Sequence, residues 1–165
     1  MGHPSSVADS PPDHAWKFRR EGGFDQVRLE SGADLVALDT LDQKLWVALS
    51  CPTRGVEFDS KTLDCLDTDK DGRIRVPEIL AAVRWACANL KNPNDLLQGA
   101  SSLPLRAIND ATDEGRQLLA SARHILASLG KPDATAITVE DATNTTAIYA
   151  QTRLNGDGVV PAETA

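Results

Sequence analysis

The sequence has no long apolar run, few cysteines and few aromatic residues. No apolar stretch approaches the roughly eighteen residues of a membrane-spanning helix, and the N-terminal part contains no apolar secretory core. Neither membrane insertion nor export is therefore predicted. Cys51, Cys65 and Cys87 show no C-x-x-C spacing, which argues against a zinc site or a disulfide framework. An odd set of unpaired cysteines favours a reducing compartment, and we predict the cytoplasm.

Basic residues are also in the minority, with 17 Lys and Arg against 24 Asp and Glu and a formal net charge of -7. This balance argues against a nucleic-acid or anionic-membrane surface and suits a cation-binding protein. The sequence contains no G-x-S-x-G, P-loop, dinucleotide-binding glycine pattern or H-E-x-x-H. His124 lies off the apolar stripe of its predicted helix, where a surface histidine is the simpler interpretation. An enzyme is therefore not predicted.

What the sequence does contain is a series of signals for helix starts. Residues 1–14 are predicted to form a disordered leader, and residues 15–165 a single, mainly α domain with a short hairpin at Gly22-Gly23. N-cap residues followed by helical apolar spacing predict helices from Ser31 to near Leu49, from Asp59 over 60–66, from Thr112 to Leu129, and from Thr138 over 139–152.

Another helix is predicted over 79–90 from its apolar residues alone. These residues are apolar on nearly all sides of the helix, and Trp85 stands opposite Val83 and Ala86. A helix that is apolar all round is usually enclosed by other elements. We therefore predict that this helix, including Trp85, is buried.

Acidic residues alternate just before that helix. Asp67, Asp69 and Asp71 are each two residues apart, Gly72 follows at once, and Glu78 comes later at the start of the helix. Ca²⁺ takes about six to eight oxygen ligands, and a short loop presents them only by winding around the ion. Alternate side chains of a tight turn meet at one point, and glycine permits that turn. The alternative is an acidic, solvated turn ahead of a helix.

Residues 58–90 resemble an EF-hand of the calcium-binding superfamily, since the loop matches D-x-[DN]-x-[DN]-G-x₅-E. The resemblance implies one Ca²⁺ held by four carboxylates and a backbone carbonyl, namely Asp67, Asp69, Asp71, the carbonyl of Arg73, and Glu78. The loop departs from the pattern at Arg75 and Pro77, its ninth and eleventh positions. Because Lys70, Arg73 and Arg75 offset much of the negative charge, moderate affinity is expected.

A second, degenerate hand is predicted over 139–165. Aligning Gly158 with Gly72 places Arg153 and Thr164 where Asp67 and Glu78 stand. This loop is therefore expected to bind no metal and to serve for pairing, with Val160 bridged to Ile74. The predicted fold is a pair of EF-hand-like helix–loop–helix units, joined by a short antiparallel bridge, with an intervening helix over 112–129.

The predicted function is calcium binding within a structural or regulatory module of a larger intracellular protein. Met1 is the sole methionine, so the flexible Met-rich groove of calcium sensors is missing and a structural role is favoured. The expected partners are the calcium ion and either another protein or a C-terminal region beyond residue 165. Two alternatives remain open, an interaction scaffold in which calcium binding is incidental, and a regulatory fragment of an enzyme.

Overall fold

A computed structural model of the protein describes residues 14–46 and 48–144. The chain divides into two compact units, Met1–Ala82 and Val83–Ala165, and the expected single domain stays a prediction. Nearly all of the predicted leader and most of the predicted degenerate hand, including Val160, lie outside the described residues. Within those residues, no helix is both long enough and apolar enough to cross a membrane.

The structure corrects the predicted fold class. Within residues 14–46 and 48–144 it contains 47% helix and 18% strand, and the strands there form three separate antiparallel pairs. The prediction of a mainly α fold is therefore wrong, and the protein combines helices with short two-stranded sheets. Of the six strands in the described part of the chain, four are only three residues long, too short to show the alternation of polar and apolar residues that identifies a strand in a sequence.

The first unit begins with a hairpin of β1 (Lys17–Glu21) and β2 (Phe24–Arg28). Its turn is formed by Gly22 and Gly23, whose φ angles of 57° and 87° confirm the predicted hairpin. Helix α1 (Gly32–Val36) follows, with the predicted capping box of Ser31 and Asp34.

Helix α1 is much shorter than predicted. Instead of continuing to Leu49, it gives way to two 3₁₀ turns, Leu38–Thr40 and Gln43–Leu45. Leu35, Leu38 and Leu41 are all buried. A 3₁₀-helix has three residues per turn, so leucines spaced by three residues also fall on one face of it. The apolar spacing therefore did not distinguish an α-helix from a 3₁₀-helix.

The remainder of the first unit surrounds the acidic loop. Strand β3 (Ser50–Pro52) is followed by helix α2 (Ser60–Leu66), which Asp59 caps as predicted. After the loop come strand β4 (Arg73–Arg75), antiparallel to β3, and helix α3 (Val76–Asn89), whose residues from Val83 onward belong to the second unit. The core of this unit is formed by Leu35, Leu38, Leu41, Leu63, Ile74 and Val76.

The second unit contains a longer helix between two short strands. A 3₁₀ turn (Pro93–Leu97), strand β5 (Ser102–Pro104) and a further 3₁₀ turn (Leu105–Ala107) lead into helix α4 (Asp113–Ser128). Strand β6 (Ala136–Thr138) then pairs antiparallel with β5 and leads into helix α5 (Val139–Thr143). The N-caps predicted at Thr112 and Thr138 are confirmed.

Trp85 is not buried as predicted. Its side chain is 50% exposed, and most residues of α3 are half-buried or exposed. The indole Nε1 donates a hydrogen bond of 2.7 Å to Glu114 Oε1 on α4. A buried indole would need a polar partner inside the unit, whereas here the partner is an exposed carboxylate.

Candidate metal site

The candidate site is the segment 67–78 that connects α2 to α3. Helix α2 is started by Asp59, whose Oδ2 accepts a 2.8 Å hydrogen bond from the Thr62 amide. It ends at Leu66, so Asp67 is the first residue after the helix. At the other end, Glu78 lies in the first turn of α3. Two helices thus fix the ends of a short acidic segment, which restricts the positions that its side chains can take.

The structure brings the three predicted aspartates together. Asp67, Asp69 and Asp71 each offer one carboxylate oxygen, and these oxygens lie within 4.8 Å of one another. Asp67 is buried, whereas Asp69 and Asp71 are exposed. Like charges this close repel one another, and a divalent cation between them would reverse the sign of the interaction. The cluster contains oxygen donors only, the type that hard cations prefer.

The backbone of the segment takes the tight course that the cluster requires. Lys70 has a φ of 56°, the sole positive value for a non-glycine residue in the described part of the chain, and Gly72 has a φ of 82°. Two left-handed residues this close bend the chain sharply between the helices. The turn is what directs Asp69 and Asp71 to the same side as Asp67.

Backbone amides fix the orientation of the aspartates. The Gly72 amide donates to Asp67 Oδ2 at 2.9 Å, and the Asp71 amide lies 3.2 Å from Asp67 Oδ1 and 3.2 Å from Asp69 Oδ1. The Arg73 amide donates to Asp71 Oδ1 at 2.9 Å. Each carboxylate has further lone pairs beyond those used by these amides, so the oxygens remain able to bind a cation.

Glu78 is turned back over the loop and bound by its backbone. Its Oε2 accepts from the Arg75 amide at 2.9 Å, and its Oε1 accepts from the Thr68 amide at 2.8 Å and from Thr68 Oγ1 at 3.1 Å. The hydrogen bonds from Arg75 and then Thr68 hold the pKa of the Glu78 carboxyl below its ordinary value. Glu78 is therefore held ionised by these amides, and the structure does not bring it into the cluster that the three aspartates form.

Arg75 contacts the same carboxylates that a metal would use. Its Nη1 lies 2.5 Å from Asp71 Oδ2 and 3.7 Å from Asp69 Oδ2. The hydrogen bond to Asp71 raises the pKa of the guanidinium above its already high value, so this cation is permanent. Arg75 thus competes with any cation for Asp69 and Asp71, and the moderate affinity expected from the sequence stays a prediction.

Arg73, whose carbonyl is the remaining predicted ligand, lies in β4 opposite Pro52. At the centre of the same pair, Ile74 is opposite Cys51 and only 3% exposed. The Thr53 amide and hydroxyl both donate to the Gly72 carbonyl, at 3.0 Å and 3.2 Å. The segment after Cys51 therefore supports the back of the loop. Sequence reasoning missed this partner, because three residues containing a proline carry no recognisable strand signal.

Comparisons with known proteins add no relative. No family model matches the chain, and searches of curated proteins and of solved structures found no match. The resemblance to EF-hands therefore stays a prediction from the loop sequence, and the candidate site is argued from its own geometry.

Proposed function

We propose that the protein binds Ca²⁺ through residues 67–78. The observation that supports this most directly is the convergence of Asp67, Asp69 and Asp71 in a loop whose backbone bends at Lys70 and Gly72. The carboxylate oxygens lie within 4.8 Å of one another although their repulsion favours separation, and a cation between them would relieve that repulsion. The sequence spacing and the folded geometry thus agree on the same three residues.

The donor set fits a hard divalent cation. Asp67, Asp69, Asp71 and Glu78 offer carboxylate oxygens, and the Arg73 carbonyl would complete the set in the resemblance to an EF-hand. Two oxygens from Glu78 would favour Ca²⁺ over the smaller Mg²⁺, which demands near-octahedral geometry and shorter distances. Histidine and cysteine do not occur in the loop, so a zinc site is disfavoured.

We further propose that the protein is an intracellular module in which calcium binding has a structural or regulatory role. Cys51 and Cys65 are exposed free thiols and Cys87 is a half-buried one. Exposed free thiols suit a reducing compartment, because an oxidising one would pair or modify them. A partner protein or another region of the chain would bind the calcium-loaded form and the calcium-free form with different affinities.

Isothermal titration calorimetry with CaCl₂, with and without MgCl₂, tests the calcium site on the full chain. We expect one Ca²⁺ per chain and a loss of at least about tenfold in affinity for Glu78→Gln, because the amide replaces one charged oxygen with a donor. Glu140→Gln is the matched control, since Glu140 is an exposed carboxylate in the first turn of α5. The control should bind like the wild type.

Thermal unfolding gives a second readout that does not depend on heat of binding. A ligand at a hundred times its dissociation constant stabilises the folded state by about 2.7 kcal/mol, so the wild type should melt higher in Ca²⁺ than in EDTA. Absence of both heat and stabilisation at millimolar Ca²⁺, or equal affinities for the wild type and Glu78→Gln, would contradict the proposal.

A further inference from the structure

The second unit repeats the strand pairing that surrounds the acidic loop. Strands β3 and β5 both have the sequence Ser-x-Pro, at residues 50–52 and 102–104, and each pairs antiparallel with the strand that follows the next helix. In both pairs the central residue of the second strand is isoleucine, with Ile74 opposite Cys51 and Ile137 opposite Leu103. The two sheets therefore have the same length, direction and register.

The hydrogen bonds next to these sheets are also repeated. In each unit the residue after the proline donates its amide to a carbonyl two residues before the isoleucine. The Thr53 amide donates to the Gly72 carbonyl at 3.0 Å, and the Leu105 amide donates to the Thr135 carbonyl at 2.9 Å. The equivalence thus extends from the strands into the loops that precede them.

A carboxylate four residues after each isoleucine occupies the same place in the helix that follows. Glu78 is the third residue of α3, and Asp141 is the third residue of α5. Each accepts a backbone amide from three residues earlier, Arg75 to Glu78 at 2.9 Å and Thr138 to Asp141 at 3.1 Å. Residues 50–89 and 102–143 therefore have the same order of strand, helix, loop, strand and helix, although α2 has 7 residues and α4 has 16.

The two loops differ in the side chains that would meet a cation. With Ile137 placed on Ile74, the positions of Asp67, Asp69 and Asp71 are taken by Gly130, Pro132 and Ala134. These residues offer no side-chain oxygen. The second loop therefore lacks the carboxylate cluster. Its backbone also differs, because its positive φ angle lies at Gly130 and not at the positions of Lys70 and Gly72.

In place of that cluster, the second loop has a lysine. Lys131 stands at the position of Thr68, whose amide donates to Glu78 in the first loop. The Lys131 Nζ lies 2.6 Å from Asp141 Oδ1. The Asp141 side chain is only 8% exposed, and its Oδ2 also accepts from Thr138 Oγ1 at 2.9 Å. A nearly buried carboxylate requires a compensating charge, and Lys131 supplies it.

We propose that residues 102–143 repeat the strand pairing of residues 50–89, and that the ammonium of Lys131 is a built-in counter-ion for Asp141, so that this second loop needs no divalent cation. The hydrogen bond between the two groups raises the pKa of Lys131 and, with those from Thr138, lowers the pKa of Asp141. Both groups are therefore charged over the whole neutral range. The proposal concerns the second unit alone and does not depend on calcium binding by the first.

Hydrogen exchange followed by mass spectrometry tests the proposal on the full chain. In Lys131→Met, the amides of β6 and α5 should exchange about tenfold faster, the change expected when a charge-assisted hydrogen bond is lost. Lys131→Arg should restore slow exchange, because it keeps the cation. Lys91→Met is the matched control in the same unit, since its ammonium pairs at 2.8 Å with the exposed Asp110. The control should leave exchange over 136–143 unchanged.

The same measurement with CaCl₂ or EDTA checks that the second loop is independent of metal. In the wild type, exchange over 129–143 should be the same in both. Two results would overturn the proposal, namely equal exchange in the wild type and Lys131→Met, or slower exchange over 129–138 when Ca²⁺ is added.

Discussion

The carboxylate of Asp34 connects the N-terminal hairpin to helix α1, and its replacement by asparagine should measure the strength of that connection. Four donors surround it. They are the Glu30 amide at 2.9 Å, the Ser31 amide at 2.8 Å, Ser31 Oγ at 2.9 Å and His14 Nε2 at 2.8 Å. His14 precedes β1 and Glu30 follows β2, so Asp34 joins both ends of the hairpin to the helix. His14, assigned to the leader from the sequence, is therefore part of the folded first unit.

The lowered pKa of Asp34 gives the size of its contribution to the free energy of unfolding. Burial of the carboxyl acts to raise its pKa, but the hydrogen bonds from Glu30, Ser31 and His14 outweigh this and lower it from 3.8 to about 2. At about 1.36 kcal/mol per pKa unit, the charged form contributes about 2.5 kcal/mol to the free energy of unfolding at neutral pH. Because the folded-state pKa is lowered, the contribution is complete well above pH 3.8 and is lost as the pH falls toward 2.

Urea unfolding monitored by circular dichroism, from pH 7 down to pH 2, measures this effect. Asp34→Asn should lower the free energy of unfolding by about 2 kcal/mol at pH 7 and by almost nothing near pH 2. Asp25→Asn, at an exposed position of β2, is the control and should change it by less than about 0.5 kcal/mol. The reasoning is refuted if the difference between Asp34→Asn and the wild type is absent at pH 7 or does not vary with pH.

Two glycine substitutions should separate backbone strain from steric overlap. Gly72→Ala should weaken Ca²⁺ binding in calorimetry by roughly three- to tenfold, because a φ of 82° costs an alanine about 1 kcal/mol even though no atom lies within 4 Å of the added Cβ. Unchanged affinity would show that the loop reshapes without cost. Gly115→Ala should lower the melting temperature by several degrees, because its Cβ would lie 1.8 Å from the Asn109 carbonyl oxygen. Gln117→Ala, on the same helix, should have little effect, and equal melting temperatures for the two variants would contradict the overlap.

The helix starts could be predicted from the sequence because capping is local. Ser31, Asp59, Thr112 and Thr138 each accept an amide from a residue three positions later, as expected. The acidic cluster was predictable for the same reason, since the spacing of three aspartates within five residues largely determines where their side chains meet. Such features depend on neighbours in the chain and require no knowledge of distant contacts.

The sheets and the burial of α3 could not be predicted, because they depend on residues far apart in the sequence. Cys51 meets Ile74 across the first unit, and Leu103 meets Ile137 across the second. Each short strand is stable only because its partner and the adjoining helix are present. The mainly α prediction failed at these positions, and the predicted burial of Trp85 failed because apolar character alone does not show which face of a helix is covered.

The repeat between residues 50–89 and 102–143 was not recognised from the sequence, because the side chains that it shares are few and widely spaced. Its other shared features are backbone hydrogen bonds, such as those from Thr53 and Leu105, and a backbone amide donates equally well from almost any residue. Such a motif places few demands on side chains, so the second loop can have Gly130, Pro132 and Ala134 where the first has aspartates, while Lys131 pairs with Asp141. The negative charges of the two loops are therefore balanced differently. A bound cation would balance the aspartates of the first loop, whereas Lys131 balances Asp141 in the second. A lysine holds the second at all metal concentrations, and under our proposals only the first unit responds to calcium.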